Sequence, residues 1–231
     1  MRTELLVVVL LATVLAPAPL EARCRPALGY RLEPLSASPV APGGEVLLTL
    51  VPVYAAGQIV TTTPATLTLR REHCPHGSCT TRAPLRTVAA NLFALAIPRT
   101  LAADRYAIEQ IHAHVTVGPS APQPHVAVAP VLAAVPMGTQ RTGSVSLAAT
   151  VELAGPPPAG TVGLIARWGT SSWFMPIGAG TTRGTLSRPR CAPAVPGAAP
   201  VAIGDHVEVA FVDASGAASP STSFVATEAT Y

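Results

Sequence analysis

The segment PGGEVLLTLVPV, residues 42–53, contains a turn followed by the clearest strand of the chain. Its first three residues favour a turn, because proline fixes one backbone angle and glycine has no side chain to restrict the others. In an extended chain over residues 45–53, the side chains of Val46, Leu48 and Leu50 project from one face. This pattern predicts a β-strand with that face buried in a core.

Further strands are predicted by similar alternation and by the turn residues that separate the segments. They cover residues 65–71, 91–97, 106–117, 126–134, 144–153, 162–168, 172–177, 206–213 and 221–227. The sequence Asp-Ala-Ser-Gly at 213–216 predicts a hairpin turn between the last two strands. The apolar face of strand 106–117 changes midway, which predicts a β-bulge near Glu109 and Gln110.

The spacing of these strands predicts an all-β fold. The chain contains 25 prolines, and each one in a helix would remove a hydrogen bond and clash with the preceding turn. Many short strands without helices are typical of β-sandwiches. We therefore expect two tandem β-sandwich domains, at residues 23–118 and 125–231, joined by a Pro- and Ser-containing linker at 119–124.

Two local patterns resemble those of immunoglobulin-like and fibronectin-type domains. They are the Pro-Gly-Gly turn before an early strand and the sequence Asp104-Arg105-Tyr106 at the start of a late one. The resemblance implies an Ig-like sandwich in which the hydroxyl of Tyr106 holds a neighbouring loop. It says little about function, because this superfold serves many unrelated functions.

The first 22 residues have the organisation of a secretory signal peptide. Arg2 supplies a positive charge, residues 5–15 form an apolar run, and the mature chain would begin at Arg23. A membrane-spanning helix is disfavoured, because about 20 apolar residues are needed to cross the bilayer and this run is shorter. Lipidation of Cys24 is also disfavoured, because Arg23 stands where a lipoprotein signal has a small residue.

The composition narrows the class of protein. After removal of residues 1–22 the chain keeps fourteen Arg and ten acidic residues, a scattered excess that does not indicate a nucleic-acid surface. Arginine replaces lysine throughout, and alanine and proline are abundant, which is typical of GC-rich bacterial genomes. No later segment has 18 consecutive apolar residues, so we expect the mature protein to be soluble.

The four cysteines fit an exported protein, since disulfides persist outside the cytoplasm. Cys74 and Cys79 are the easiest pair to join, because the four residues between them include Pro and Gly and suit a tight turn. A Cys24–Cys191 disulfide would then remain, connecting the N-terminus to the second half.

Histidines provide the first candidate site. His112 and His114 would project from the same face of a strand, an arrangement that suits one metal ion. His73 and His76, on either side of Cys74, could complete a zinc or copper site. The alternative is a solvent-exposed strand face without metal.

Aromatic side chains provide the second candidate site. Trp168, Trp173 and Phe174 are close together in a chain with few aromatics, and tryptophans near strand ends can stack on sugars or anchor partners. Trp168 is expected in the core by alternation, and Trp173 and Phe174 form the possible binding surface. If residues 172–177 form a strand, alternation exposes one of Trp173 and Phe174. Core packing is the favoured alternative to a binding surface.

Catalytic motifs are missing from the sequence. It contains no Gly-x-Ser-x-Gly elbow and no phosphate-binding loop, and the three Asp after residue 22 lie in predicted turns. The sequence therefore predicts a non-catalytic bacterial binding or structural protein, periplasmic or at the cell surface, with a protein or glycan partner. A periplasmic zinc- or copper-binding protein is the first alternative. The second is a two-domain protein that resembles periplasmic pilus chaperones.

Overall fold

The fold is given by a computed structural model, which describes residues 27–35, 39–55, 59, 63–74, 79–120, 124–133, 139–142, 146–178, 180–186 and 193–227. These ranges contain fourteen β-strands, one short 3-10 turn at Glu109–Ile111 and no α-helix. The prediction of an all-β chain is confirmed. No helix in this part of the chain is long and apolar enough to cross a membrane. The segment 1–22, Cys24, His76 and Cys191 lie outside the described residues.

Seven strands lie in the N-terminal half of the chain. They are β1 (Gly29–Pro34), β2 (Glu45–Val53), β3 (Thr66–Arg71), β4 (Thr80–Ala89), β5 (Leu92–Ala96), β6 (Asp104–Ile108) and β7 (Ala113–Val117). All neighbours are antiparallel, in the order β1-β2-β5-β4-β3-β6-β7. Strand β2 has the bounds predicted from the sequence.

Strand β4 connects two wings of this sheet. Its first half pairs with β3 and its second half pairs with β5. Side chains from both wings, such as Leu48 of β2 and Leu69 of β3, belong to one buried cluster, so the wings face each other. Val40 bridges to Val117 of β7 and closes part of the gap between the first and last strands.

The predicted long strand at residues 106–117 is wrong. The chain reverses at the 3-10 turn and at His112, so that β6 and β7 form an antiparallel hairpin in which Ile108 pairs with Ala113. The change of apolar face that indicated a bulge is instead the point where the strand direction reverses. Each strand of the hairpin keeps its own regular alternation.

Seven strands lie in the C-terminal half. They are β8 (Thr139–Thr142), β9 (Ser146–Glu152), β10 (Thr161–Trp168), β11 (Ser171–Pro176), β12 (Arg183–Leu186), β13 (His206–Asp213) and β14 (Thr222–Val225). They form two sheets, β11-β10-β13-β14 and β12-β9-β8. The predicted strand at 126–134 is not formed over its described residues, apart from a bridge between Leu132 and Leu153.

The two halves pack against each other through a shared apolar cluster. Leu47 and Leu92 contribute from the N-terminal half, and Ile165, Phe174 and Val212 contribute from the C-terminal half. The opposite face of β10, β11 and β13 packs into the core of the C-terminal half. The middle parts of β10, β11 and β13 are therefore covered on both faces, which explains their short apolar runs at residues 164–166, 173–175 and 209–212.

Candidate functional site

Asn91 fastens the two halves at their junction. Its Nδ2 donates to the backbone carbonyl of Phe174 at 2.9 Å, and its Oδ1 accepts from the backbone N–H of the same residue at 2.7 Å. The backbone carbonyl of Asn91 accepts from Leu50 N and from the hydroxyl of Thr49. Because Asn91 is buried, it satisfies backbone groups that water does not reach.

A second set of hydrogen bonds holds the loop at 193–199 next to the hydrogen bonds between Asn91 and Phe174. Ser172 N donates to the carbonyl of Gly197 at 2.9 Å, and the hydroxyl of Ser171 accepts from Ala199 N at 3.1 Å. On the other side, the hydroxyl of Tyr30 donates to the carbonyl of Pro193 at 2.9 Å. The loop of the C-terminal half is thereby fixed over one end of the N-terminal sheet.

A cavity of about 550 Å³ lies between this loop and the N-terminal sheet. Its volume is within the range of roughly 300–1,000 Å³ that is usual for small-molecule sites. Four of its lining residues are buried, namely Gly29, Tyr30, Phe93 and Val195, while Thr87 and Pro196 are exposed. The other lining residues that the structure describes are Leu28, Leu50, Ile59, Thr63, Ala90, Pro193 and Ala194.

The strand register places this cavity at the end of the N-terminal core. Thr87 pairs with Phe93 and Leu50 pairs with Leu32, so these side chains share the inward face of the sheet. Leu50 packs against both the main N-terminal cluster and the smaller cluster that contains Tyr30 and Val195. The cavity is thus a continuation of the core, covered by the other half.

The three described histidines of the predicted metal site lie on different segments of the chain. His112 lies in the turn before β7 with a left-handed backbone (φ 49°), whereas His114 lies on β7 and pairs with Glu72 at 3.0 Å. The two histidines are therefore not alternate positions within one strand. His73 contacts Asp104 instead. No group of three or more His, Cys, Asp or Glu within the described ranges could hold a metal ion.

Asp104 is the centre of a charged network at the end of β3. It accepts hydrogen bonds from Nδ1 of His73 at 2.8 Å and from Nε of Arg71 at 2.6 Å. These two bonds, in that order, lower the pKa of Asp104 far below its ordinary value. The network joins β3 to β6, and its groups are already paired with one another.

Asp213 forms a second network at the end of β13. Its Oδ2 contacts Nδ1 of His125 at 2.6 Å, and its Oδ1 accepts from the hydroxyl and the N–H of Ser215 and from Ala217 N. Burial raises the pKa of Asp213, but the bonds from Ser215 and His125 outweigh it, so the pKa is lowered. The hydroxyl of Ser215 faces Asp213 and not the histidine, unlike the nucleophile of a Ser-His-Asp triad.

The aromatic residues are mainly packing residues. Trp168 is buried in the core of the C-terminal half, as alternation predicts. Phe174 is fully buried between the two halves, which excludes it from a binding surface, and Trp173 is half-buried. The expectation that one of them must be exposed assumed a sheet with one solvated face, whereas both faces of β11 are covered.

Cys74 and Cys79 are joined as predicted. Their sulfur atoms are 1.95 Å apart, a disulfide-bonding distance, and the bridge closes the loop between β3 and β4.

Tyr106 donates from its hydroxyl to the carbonyl of Ala102 at 3.0 Å, which holds the loop before β6.

Comparison with known proteins adds no family to this description. No protein-family model matches the chain, and no curated protein matches it significantly. The described part of the molecule is therefore characterised by its own features: an all-β, disulfide-containing chain with an apolar cavity where its two halves meet.

The sequence offered little signal for this cavity. Asn91 is the only asparagine of the chain, and it lies in the two-residue turn between β4 and β5. An asparagine in a turn is ordinarily explained by the turn itself. Because the sequence is poor in amide side chains, the presence of this single asparagine was the one feature that could have indicated a special role for Asn91.

Proposed function

We propose that this chain is an exported, non-catalytic binding protein of the bacterial cell envelope, with two immunoglobulin-like sandwiches holding a ligand pocket between them. The observation that carries the proposal is the cavity at the junction, whose walls come from both halves. Binding sites occur preferentially at such junctions. The hydrogen bonds of Asn91 and Tyr30 support a pocket formed before the ligand arrives.

Three further observations support parts of this proposal. The contact from Tyr106 to Ala102 is the loop-holding bond that the resemblance to immunoglobulin-like domains implies. The joined Cys74 and Cys79 suit an oxidising compartment. The Asp104 and Asp213 carboxylates are occupied in networks that fasten strands and turns, which favours binding over catalysis.

Export is tested by expressing the full chain with its own N-terminus in a bacterial host. We expect recovery outside the cytoplasm, an N-terminal sequence beginning at Arg23, and a Cys74–Cys79 disulfide in peptide maps made without reductant. A chain that stays in the cytoplasm with residues 1–22 attached would contradict the proposed location.

Binding is tested separately with the purified protein and a compound library that contains sugars, amino acids, charged metabolites and uncharged apolar molecules. We expect at least one class to raise the midpoint of thermal unfolding, because a ligand that binds only the native state stabilises it. If no class does so, and no envelope protein or glycan binds, the function proposed here is wrong.

A further inference from the structure

Among the residues that the structure describes, the lining of the junction cavity contains no charged side chain. All thirteen lining residues are Leu, Gly, Tyr, Ile, Thr, Ala, Phe, Pro or Val. An ion entering such a site would lose its hydration without gaining a countercharge, which costs free energy. The lining therefore disfavours anionic and cationic ligands.

The buried part of the cavity is suited to a ring or a branched alkyl group. Tyr30 and Phe93 are aromatic, and Leu50 and Val195 supply aliphatic surface. The described lining residues supply three polar side-chain groups, the hydroxyls of Tyr30, Thr63 and Thr87, and that of Tyr30 already donates to the carbonyl of Pro193. A ligand thus gains mainly from apolar contact, with at most a few hydrogen bonds near the rim.

We infer that this cavity binds an uncharged, largely apolar small molecule. The inference rests on the proposed binding function and specifies its ligand class. On one side the walls come from β1, β2, β4, β5 and the connection between β2 and β3, and on the other from the loop 193–196, so bound ligand contacts both halves. Such a ligand stabilises the junction as well as the pocket.

Two related fluorescent probes test the charge requirement. N-phenyl-1-naphthylamine is uncharged and apolar, and 8-anilino-1-naphthalenesulfonate has the same ring system with an added sulfonate. We expect saturable one-to-one binding of the uncharged probe to the full-length protein. The anionic probe should bind roughly tenfold more weakly or worse, since the described lining residues offer it no cation.

Two variants test whether the probe occupies this cavity. Thr87→Trp adds an indole from the N-terminal wall, and Pro196→Trp adds one from the loop of the C-terminal half. Each should weaken binding of the uncharged probe by roughly tenfold or more, because the indole fills space that the probe requires. Thr185→Trp is the matched control: Thr185 is also exposed, lies on β12 and is absent from the cavity lining, so affinity should stay unchanged.

The outcomes separate this inference from the proposed function. It is overturned if the uncharged probe does not bind, if both probes bind equally, or if Thr87→Trp and Pro196→Trp leave affinity unchanged while thermal unfolding shows folded variants. A sugar or a protein that stabilises the chain with these variants unaffected would support a binding function but place it elsewhere. If both variants unfold, a nitroxide quencher attached to Leu28→Cys, at the rim of the cavity, gives a second test. The nitroxide should quench the fluorescence of probe bound in the cavity. Bound probe that is not quenched rejects the site.

Discussion

The side-chain amide of Asn91 pairs with the backbone of Phe174 as a neighbouring strand would, donating to its carbonyl and accepting from its N–H. The two residues are 83 positions apart and belong to different halves of the chain. One buried side chain therefore continues the hydrogen bonding of an edge strand across the junction.

Removal of this amide should loosen the junction. Asn91→Ala leaves the N–H and the carbonyl of Phe174 without their partner, and each unsatisfied buried group costs about 1–3 kcal/mol. We expect the free energy of unfolding, measured in urea, to fall by about 2–4 kcal/mol. Asn91→Asp keeps the shape but replaces the donor by an oxygen that faces the Phe174 carbonyl, so it should destabilise at least as strongly at neutral pH. If Asn91→Ala and Asn91→Asp both have wild-type stability, the hydrogen bonds between the Asn91 side chain and Phe174 contribute nothing to the free energy of unfolding.

Close packing at the junction makes a prediction for Gly163. A Cβ there would lie 2.2 Å from Cε2 of Phe174 and 2.5 Å from the carbonyl oxygen of Met175. Gly163→Ala should therefore destabilise the protein by about 1–3 kcal/mol through overpacking.

Gly155→Ala is the control for that substitution, because nothing lies within 4 Å of the added carbon. It should be neutral or stabilise by up to about 1 kcal/mol through the unfolded state. Equal effects of the two substitutions on the urea midpoint would argue against tight packing at Phe174.

The backbone at His112 predicts opposite effects for two neighbouring histidines. His112 adopts a left-handed conformation, which costs a residue with a side chain about 1–2 kcal/mol more than glycine. Glycine loses more conformational entropy on folding, which offsets part of this gain. His112→Gly should therefore raise the free energy of unfolding by about 0.5–1 kcal/mol.

His114→Gly should instead destabilise by about 0.5–1 kcal/mol, because His114 is extended within β7 and pairs with Glu72. Urea unfolding of both variants gives the comparison. Stabilisation by His114→Gly, or loss of stability with His112→Gly, would contradict the hairpin and favour the single bulged strand.

Asp104 should make the stability of the protein dependent on acidic pH. Its pKa is lowered in the folded state by His73 and Arg71, so its contribution is present above the unfolded pKa of about 4 and is lost as the pH falls. Asp104→Asn should reduce stability at pH 7, and its deficit relative to wild type should shrink between pH 4 and pH 2. If the stability deficit of Asp104→Asn is the same at pH 4 and at pH 2, the charge of the Asp104 carboxylate does not account for it.

The local pattern of apolar and turn residues was sufficient to predict several strands. The bounds predicted for β2 and β13 agree with the structure, because apolar side chains recur along each strand and turn residues bound it. Strand β4 was missed, since it contains Pro84 and two exposed arginines, Arg82 and Arg86. Pro84 lies near the point where β4 passes from pairing with β3 to pairing with β5, a position where an irregular strand tolerates proline.

The junction could not be predicted in the same way. Its cavity combines residues near 28–30, 50, 87–93 and 193–196, and no periodicity connects segments so far apart. The aromatic residues show the same limit: alternation placed Trp173 and Phe174 on opposite faces, but it could not show that both faces of β11 are covered.

The doubly covered sheet of the C-terminal half has a practical consequence for work with fragments. A piece that begins at the linker would present Ile165, Phe174 and Val212 to water, and its N-terminal counterpart would present Leu47 and Leu92. Surfaces of this kind drive self-association in dilute solution. Truncated pieces intended for separate study should therefore be designed with polar replacements at these positions, or be produced together so that each shields the other.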